Sequence, residues 1–176
     1  MRENRIAHAA GKDSAPEPGI RAARLPQDIA QARALFMEYA QGLGVDLCFQ
    51  DFEAELASLP GAYAPPRGRL LLAGARDAAF GCIALRPLDD RAGEVKRMYV
   101  QPARRGEGWG RRLAVEIIAQ AREAGYGELK LDTLARLMPA RALYAELGFR
   151  ECAAYYPNPL PDVVYMTMQL APAPPI

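Results

Sequence analysis

The chain is poor in histidine and serine: among 176 residues the one histidine is His8, and the two serines are Ser14 and Ser58. A Ser-His-Asp or Cys-His site needs a histidine within hydrogen-bond reach of its nucleophile. Here such a site would have to recruit His8 from a stretch of Ala, Gly and Pro, so that chemistry finds no support. Cysteine is sparse as well. Cys48, Cys82 and Cys152 are odd in number, widely spaced and without a C-x-x-C, which argues against both a disulfide framework and a zinc site. No metal is expected, and buried thiols in a reducing compartment fit best. No apolar run approaches the roughly 18 residues that a membrane span needs. The N-terminal residues also lack the apolar core of a signal peptide, so a cytoplasmic protein with no membrane partner is the expectation. Nor does charge of one sign dominate: 22 Lys plus Arg stand against 21 Asp plus Glu, a formal charge of +1. There is no global field to attract nucleic acid, and any binding of anions must be local.

What is present is enough apolar content, 51% of residues, to bury the core of one domain. Residues 1–18 show neither a period of 2 nor one of 3.6, which predicts a flexible leader followed by a single domain over 19–176. A short edge strand is expected from Ile20 to Leu25. Pro26 and Asp28 then signal a helix start, and Ile29, Ala32, Leu35, Phe36, Tyr39 and Leu43 predict an amphipathic helix ending near Gly42 or Gly44. A second helix is predicted from Asp51 to Ser58, and a loop from Pro60 to Gly68. Arg69–Ala75 and Phe80–Arg86 read as a hairpin around Arg76, Asp77, Ala78 and Ala79, and Glu94–Gln101 as a central strand. A helix reaches to about Ala124, with Leu113, Ala114, Ile117, Ile118 and Ala121 on its buried face. Beyond it lie a strand over Glu128–Thr133, a helix over Leu137–Leu147 stopped by Gly148, and strands near Phe149–Tyr155 and Val163–Leu170. The order predicts an α/β (α+β) fold: a mixed, mostly antiparallel sheet of about seven strands with helices on both faces.

Between the central strand and the next helix lies a basic, glycine-rich turn, Gln101 to Arg111. Glycines let backbone N–H groups converge, and a helix N-terminus adds partial positive charge, so a phosphate or pyrophosphate suits this place. Arg104, Arg105, Arg111 and Arg112 surround it. A P-loop is excluded, because no Gly-Lys is followed by Ser or Thr. The dinucleotide fingerprint G-x-G-x-x-G fails at Arg111, although Asp132 stands about where its acidic ribose ligand belongs. That reading and a tight turn without a ligand stay open on these residues alone.

The segment Glu94–Arg112, EVKRMYVQPARRGEGWGRR, resembles the signature of the GNAT superfamily of N-acetyltransferases. Its pyrophosphate loop, Gln or Arg followed at fixed spacing by Gly and by Gly or Ala, is matched by Arg105, Gly108 and Gly110, after a strand ending in Tyr99, Val100 and Pro102. A second stretch, Ala140 to Phe149 with Leu143, Tyr144 and Gly148, is similar to the family's A-x-x-L-Y-x-x-x-G-F. The resemblance spans about residues 19–170. It implies a GNAT fold with a splayed central strand pair, Glu94–Val100 against Glu128–Thr133, and acetyl-CoA as co-substrate. It implies that Met98, Tyr99 and Val100 face pantetheine, and that Arg105, Gly106, Gly108, Gly110 and Arg111 hold the pyrophosphate, mainly through main-chain N–H groups. Tyr144 would be the general acid toward the CoA thiolate, a role a phenol of pKa about 10 suits; a core-packing role is the alternative. Glu94 would take the amine proton, directly or through water, or else be an ordinary residue at a strand start. Family members often carry Asn where this chain has Leu137, so a side-chain contact to the co-substrate is expected to be missing there. A homodimer is also what the resemblance suggests.

Acceptor specificity is expected from the first two helices with their connection, Gly42–Phe49, and from Tyr155–Asp162, whose prolines and tyrosines cost little entropy to fix; a plain rigid connection between strands is the alternative for that segment. Asp46, Asp51, Glu53 and Asp162 are further acids that suit a cationic acceptor. The expected reaction is acetyl transfer to the primary amine of a small molecule. A protein or peptide N-acetyltransferase and a non-catalytic acyl-CoA sensor are the alternatives. A nucleic-acid module ranks last, since the arginines lack an aromatic stacking platform.

Overall fold

The computed structural model describes residues 17–44, 47 and 51–171. Most of the expected leader, His8, Asp46, Cys48 and half of the Gly42–Phe49 connection lie outside the described residues. The element order is β1 (Gly19–Ala22), α1 (Ile29–Leu43), α2 (Phe52–Ser58), β2 (Arg69–Ala75), β3 (Ala78–Pro87), β4 (Ala92–Val100), α3 (Trp109–Glu123), β5 (Glu128–Leu134), α4 (Met138–Glu146), β6 (Arg150–Cys152) and β7 (Val163–Gln169).

Seven strands form one sheet in the order β1-β2-β3-β4-β5-β7-β6, antiparallel throughout except for β4 beside β5. β2 and β3 are buried on both faces, and their side chains alternate between two cores as the pleat requires. Leu70, Leu72, Cys82 and Ala84 pack with α1 and α2 around Phe36, while Leu71, Ala73, Ile83 and Leu85 pack with α3 around Leu113 and Ile117. The apolar stripes at spacings of three and four on α1 and α3 are thus buried on opposite faces of the sheet.

Several boundaries differ from the sequence expectation. β1 stops at Ala22, although Ala23 still donates one backbone hydrogen bond to Leu70 (2.8 Å). The β2–β3 turn is Arg76-Asp77 alone, because Ala78 and Ala79 pair with Ala75 and Gly74. β4 starts two residues early, at Ala92, where pairing with Glu128 extends it. β6 is only Arg150–Cys152, an edge strand held by β7. Asp28 flanks the start of α1 but does not cap it; its carboxylate accepts instead from the Arg24 N–H and the side chains of Arg21, Arg24 and Gln31.

Two irregularities of β4 position the site. Parallel pairing with β5 covers only Ala92↔Glu128, Gly93↔Leu129 and Glu94↔Lys130, after which the two strands part. β5 goes on pairing with β7 as far as Leu134↔Val163, so residues 95–100 of β4 have β3 on one side and a gap on the other. On the β3 side the register slips, so that Ile83 faces both Arg97 and Met98, and at this bulge Arg97 takes φ 58°, a left-handed conformation rare for a residue with a side chain.

Candidate active site

β4, β5, α1 and α4 meet where the strands part. Lys96, Arg97 and Met98 from β4, Asp132 and Thr133 from β5, Tyr39 from α1, and Leu137, Ala140 and Tyr144 at α4 line an inner cavity of about 50 Å³. Tyr39, Met98, Leu137 and Ala140 also wall an outer cleft of about 600 Å³, which runs past Tyr99 and Val100 to Arg104, Arg105, Gly106, Gly108, Trp109 and Gly110.

At the outer end the turn is shaped for an anion. Gly106 and Gly108 sit at φ 83° and 80°, which side-chain-bearing residues rarely adopt. A Cβ built on either would meet no protein atom within 4 Å, so the space beside both is open. The first helical hydrogen bond here runs from the Arg112 N–H to the Gly108 carbonyl (3.1 Å). The N–H groups of Trp109, Gly110 and Arg111 precede it and find no backbone acceptor among the described residues, which is the arrangement that binds phosphate. Arg105 lies along the cleft with its Nε donating to the Val100 carbonyl (3.0 Å). Arg111 is placed differently: its guanidinium pairs with Glu146 (2.6 Å) and does not line the cleft, so only its main-chain N–H is directed to the turn.

At the inner end the Tyr144 ring is buried, edge-on to Phe149. Among the described residues its hydroxyl finds one partner, the Met98 sulfur at 3.4 Å, which is a weak acceptor. Burial pushes the phenol well above its ordinary pKa, with smaller contributions from Tyr39 and Asp132, so it stays protonated.

The sequence profile of the Acetyltransferase (GNAT) family matches residues 29–149, from the first residue of α1 to just past α4. The chain belongs to the GNAT acetyltransferase family. An uncharacterized N-acetyltransferase of Schizosaccharomyces pombe is 42% identical over 156 residues, covering 86% of this chain and 94% of its own. The crystal structure of a GNAT acetyltransferase from Staphylococcus aureus matches with a TM-score of 0.72 at 20% identity, covering 88% of this chain and 99% of that one. A GNAT acetyltransferase from Elizabethkingia anophelis with acetyl-CoA bound matches with a TM-score of 0.59 at 20% identity, covering 88% and 99%.

In this GNAT chain Met98, Tyr99, Val100, Arg105, Gly106, Gly108 and Gly110 all border one cleft, and Tyr144 stands beyond its inner wall. The Tyr99 hydroxyl turns toward α1, where it donates to Glu38 (3.2 Å), and its ring lies beside the Arg105 guanidinium. Glu94 lines neither cavity. It is 1% exposed, and its oxygens are taken by Arg86 (2.7 Å) and Tyr155 (2.9 Å), with the Lys96 ammonium at 3.7 Å.

Sequence reasoning passed over Lys96, Asp132 as a site residue, and Tyr39. Lys96 Nζ donates to Asp132 (3.0 Å), whose other oxygen accepts from Tyr156 (2.9 Å). Burial alone would raise the pKa of Asp132, but the Lys96 ammonium and the hydrogen bonds from Lys96 and Tyr156 outweigh it and hold the carboxyl below its usual range. Arg97, turned by the bulge, pairs with Glu55 (2.6 Å), which also accepts from Tyr63 (2.8 Å). Asp132 had a local signal, an acid amid the alternating apolar residues of β5; its partner Lys96, 36 residues away, had none. Among the described residues no group of three or more His, Cys, Asp or Glu is placed to hold a metal, and no helix is long and apolar enough to cross a membrane.

Proposed function

We propose that this GNAT protein transfers the acetyl group of acetyl-CoA to the primary amine of a small-molecule acceptor by direct attack. One observation carries the reading: a single cleft along the unpaired edge of β4 has an open glycine turn at one end and a buried, weakly engaged phenol beyond the other. The residues suit acetyl-CoA. The N–H groups of the turn, with Arg104 and Arg105, offer a site for the pyrophosphate. Those peptide groups of residues 95–100 that do not pair with β3 are left toward the gap and can pair with an extended pantetheine arm. That the structural neighbour from Elizabethkingia anophelis has acetyl-CoA bound supports acetyl-CoA as the co-substrate.

Attack by the amine forms the C–N bond and breaks the C–S bond, expelling a thiolate. Tyr144 supplies the proton that this sulfur takes up, and the proton lost by the amine nitrogen balances it. Burial keeps the phenol protonated until the thiolate needs it. A small acceptor is favoured by the inner cavity, about 50 Å³, and by the segment before β7, which is tied down over the parted strands through Tyr155 and Tyr156.

The test pairs acetyl-CoA binding with CoA release for wild type and Tyr144→Phe. The variant is expected to bind acetyl-CoA as wild type does and to turn over about 100-fold more slowly. An unchanged rate would return Tyr144 to a packing role.

A further inference from the structure

We infer that Asp132, rather than Glu94, is the carboxylate that meets the acceptor's amine, accepting a hydrogen bond from its N–H. The inference rests on the amine-transfer reading above. Across the inner cavity and the outer cleft, Asp132 is the one Asp or Glu among the described lining residues. It keeps 12% of its side-chain surface, against 1% for Glu94. Its oxygens are each engaged once, by Lys96 and by Tyr156. A carboxylate offers about four lone-pair sites, so each oxygen has one to spare. Of the two cations in the cavity wall, Arg97 is paired with Glu55 and Lys96 with Asp132 itself, while Glu94 is taken by Arg86, so Asp132 is the carboxylate that faces the space. That space, about 50 Å³ where a liquid water occupies about 30 Å³, admits little more than an amino group and the carbon bearing it.

Glu94 has a different task. Tyr155 donates to Glu94 on β4, and the next residue, Tyr156, donates to Asp132 on β5. Lys96 bridges the two carboxylates at 3.7 and 3.0 Å. This bracket spans the parted strands just beyond their last backbone pair, Glu94↔Lys130, and fixes where Asp132 sits. Glu94 is therefore a positioning residue. The groups facing Asp132 are Lys96 and Arg97 from β4 and Tyr156 from the segment before β7, with Tyr144 of α4 and Tyr39 of α1 across the cavity. Because Lys96 holds it ionised, Asp132 remains an acceptor through the neutral range.

Titration of 15N-labelled protein with n-butylamine, followed by amide chemical shifts, reads this site without any turnover. Saturable shifts are expected at Asp132 and Thr133 in wild type, with the Kd raised about tenfold or more in Asp132→Asn. The shifts should persist in Glu94→Gln, whose amide oxygen still accepts from Tyr155 and so keeps Asp132 in place. Should Asp132→Asn fail to fold with Lys96 left buried, the double variant Lys96→Met/Asp132→Asn restores neutrality and should show the same loss of binding. Absence of shifts in wild type, an unchanged Kd in a folded Asp132 variant, or loss of binding confined to Glu94→Gln would overturn the inference. CoA release with amines fails or succeeds separately: no turnover with butylamine bound at Asp132 sinks the transferase reading alone, whereas turnover without such binding sinks this inference alone.

Discussion

Asp28 is fully buried, and its carboxylate accepts from Arg21, Arg24 and Gln31, while Arg21, Arg24 and Gln31 also reach the Arg76 carbonyl. One acid thereby ties the β1–α1 connection to the β2–β3 turn. The hydrogen bond from Arg24, reinforced by Arg21 and working against burial, holds its pKa well below the usual range. A carboxyl depressed in the folded state stabilises above its unfolded pKa, about 3.9, and that stability is lost as pH falls through the folded value. Tm is therefore expected to be insensitive to this group above about pH 5 and to fall in stronger acid, with a shallower acid dependence in Asp28→Asn. An identical acid slope in the variant would contradict it. Glu55 and Arg97 make a similar pair deeper in the protein, so Glu55→Gln should cost about 3–5 kcal/mol in urea unfolding, because it removes the carboxylate that Arg97 is paired with. A cost under about 1 kcal/mol would mean the pair behaves like an exposed one. The long-range pairs were not legible beforehand. Glu55 and Arg97 are 42 residues apart, Tyr155 and Glu94 61 apart, and periodicity carries no information about contacts at that separation.

At the scale of elements the helices were read most closely, since α1 and α3 bury the apolar stripes that their spacing shows. Strand ends were less legible: β3 and β4 gain residues by pairing with neighbours, and β6 keeps only the three residues that β7 holds. The turn between β4 and α3 was legible because its chemistry is local. Gly108 is the N-cap of α3 at φ 80°, with open space where a side chain would go. Gly108→Val is accordingly expected to fold with a loss of about 1–3 kcal/mol from backbone strain. Its acetyl-CoA binding should be abolished, as read by calorimetry. Wild-type affinity in a folded variant would remove the turn from the binding site.

The whole molecule is a sheet with a core on each face and one interruption, and the interruption is where the site lies. The parting of β4 from β5 was expected from the family resemblance, not from the residues of either strand, whose apolar patterning fits continuous pairing equally well. The gap is bridged at its inner end by the cluster of Glu94, Lys96, Asp132, Tyr155 and Tyr156, drawn from β4, β5 and the segment before β7. The central claim is that this gap carries acetyl transfer to an amine. It is tested most directly by CoA release from acetyl-CoA across polyamines, amino acids, aminoglycosides and short peptides, with acceptor-free controls that correct for the protein's own thiols. Selective release with one class of small amine is the predicted result, whereas acetyl-CoA binding with no release above the controls for any amine would contradict the claim.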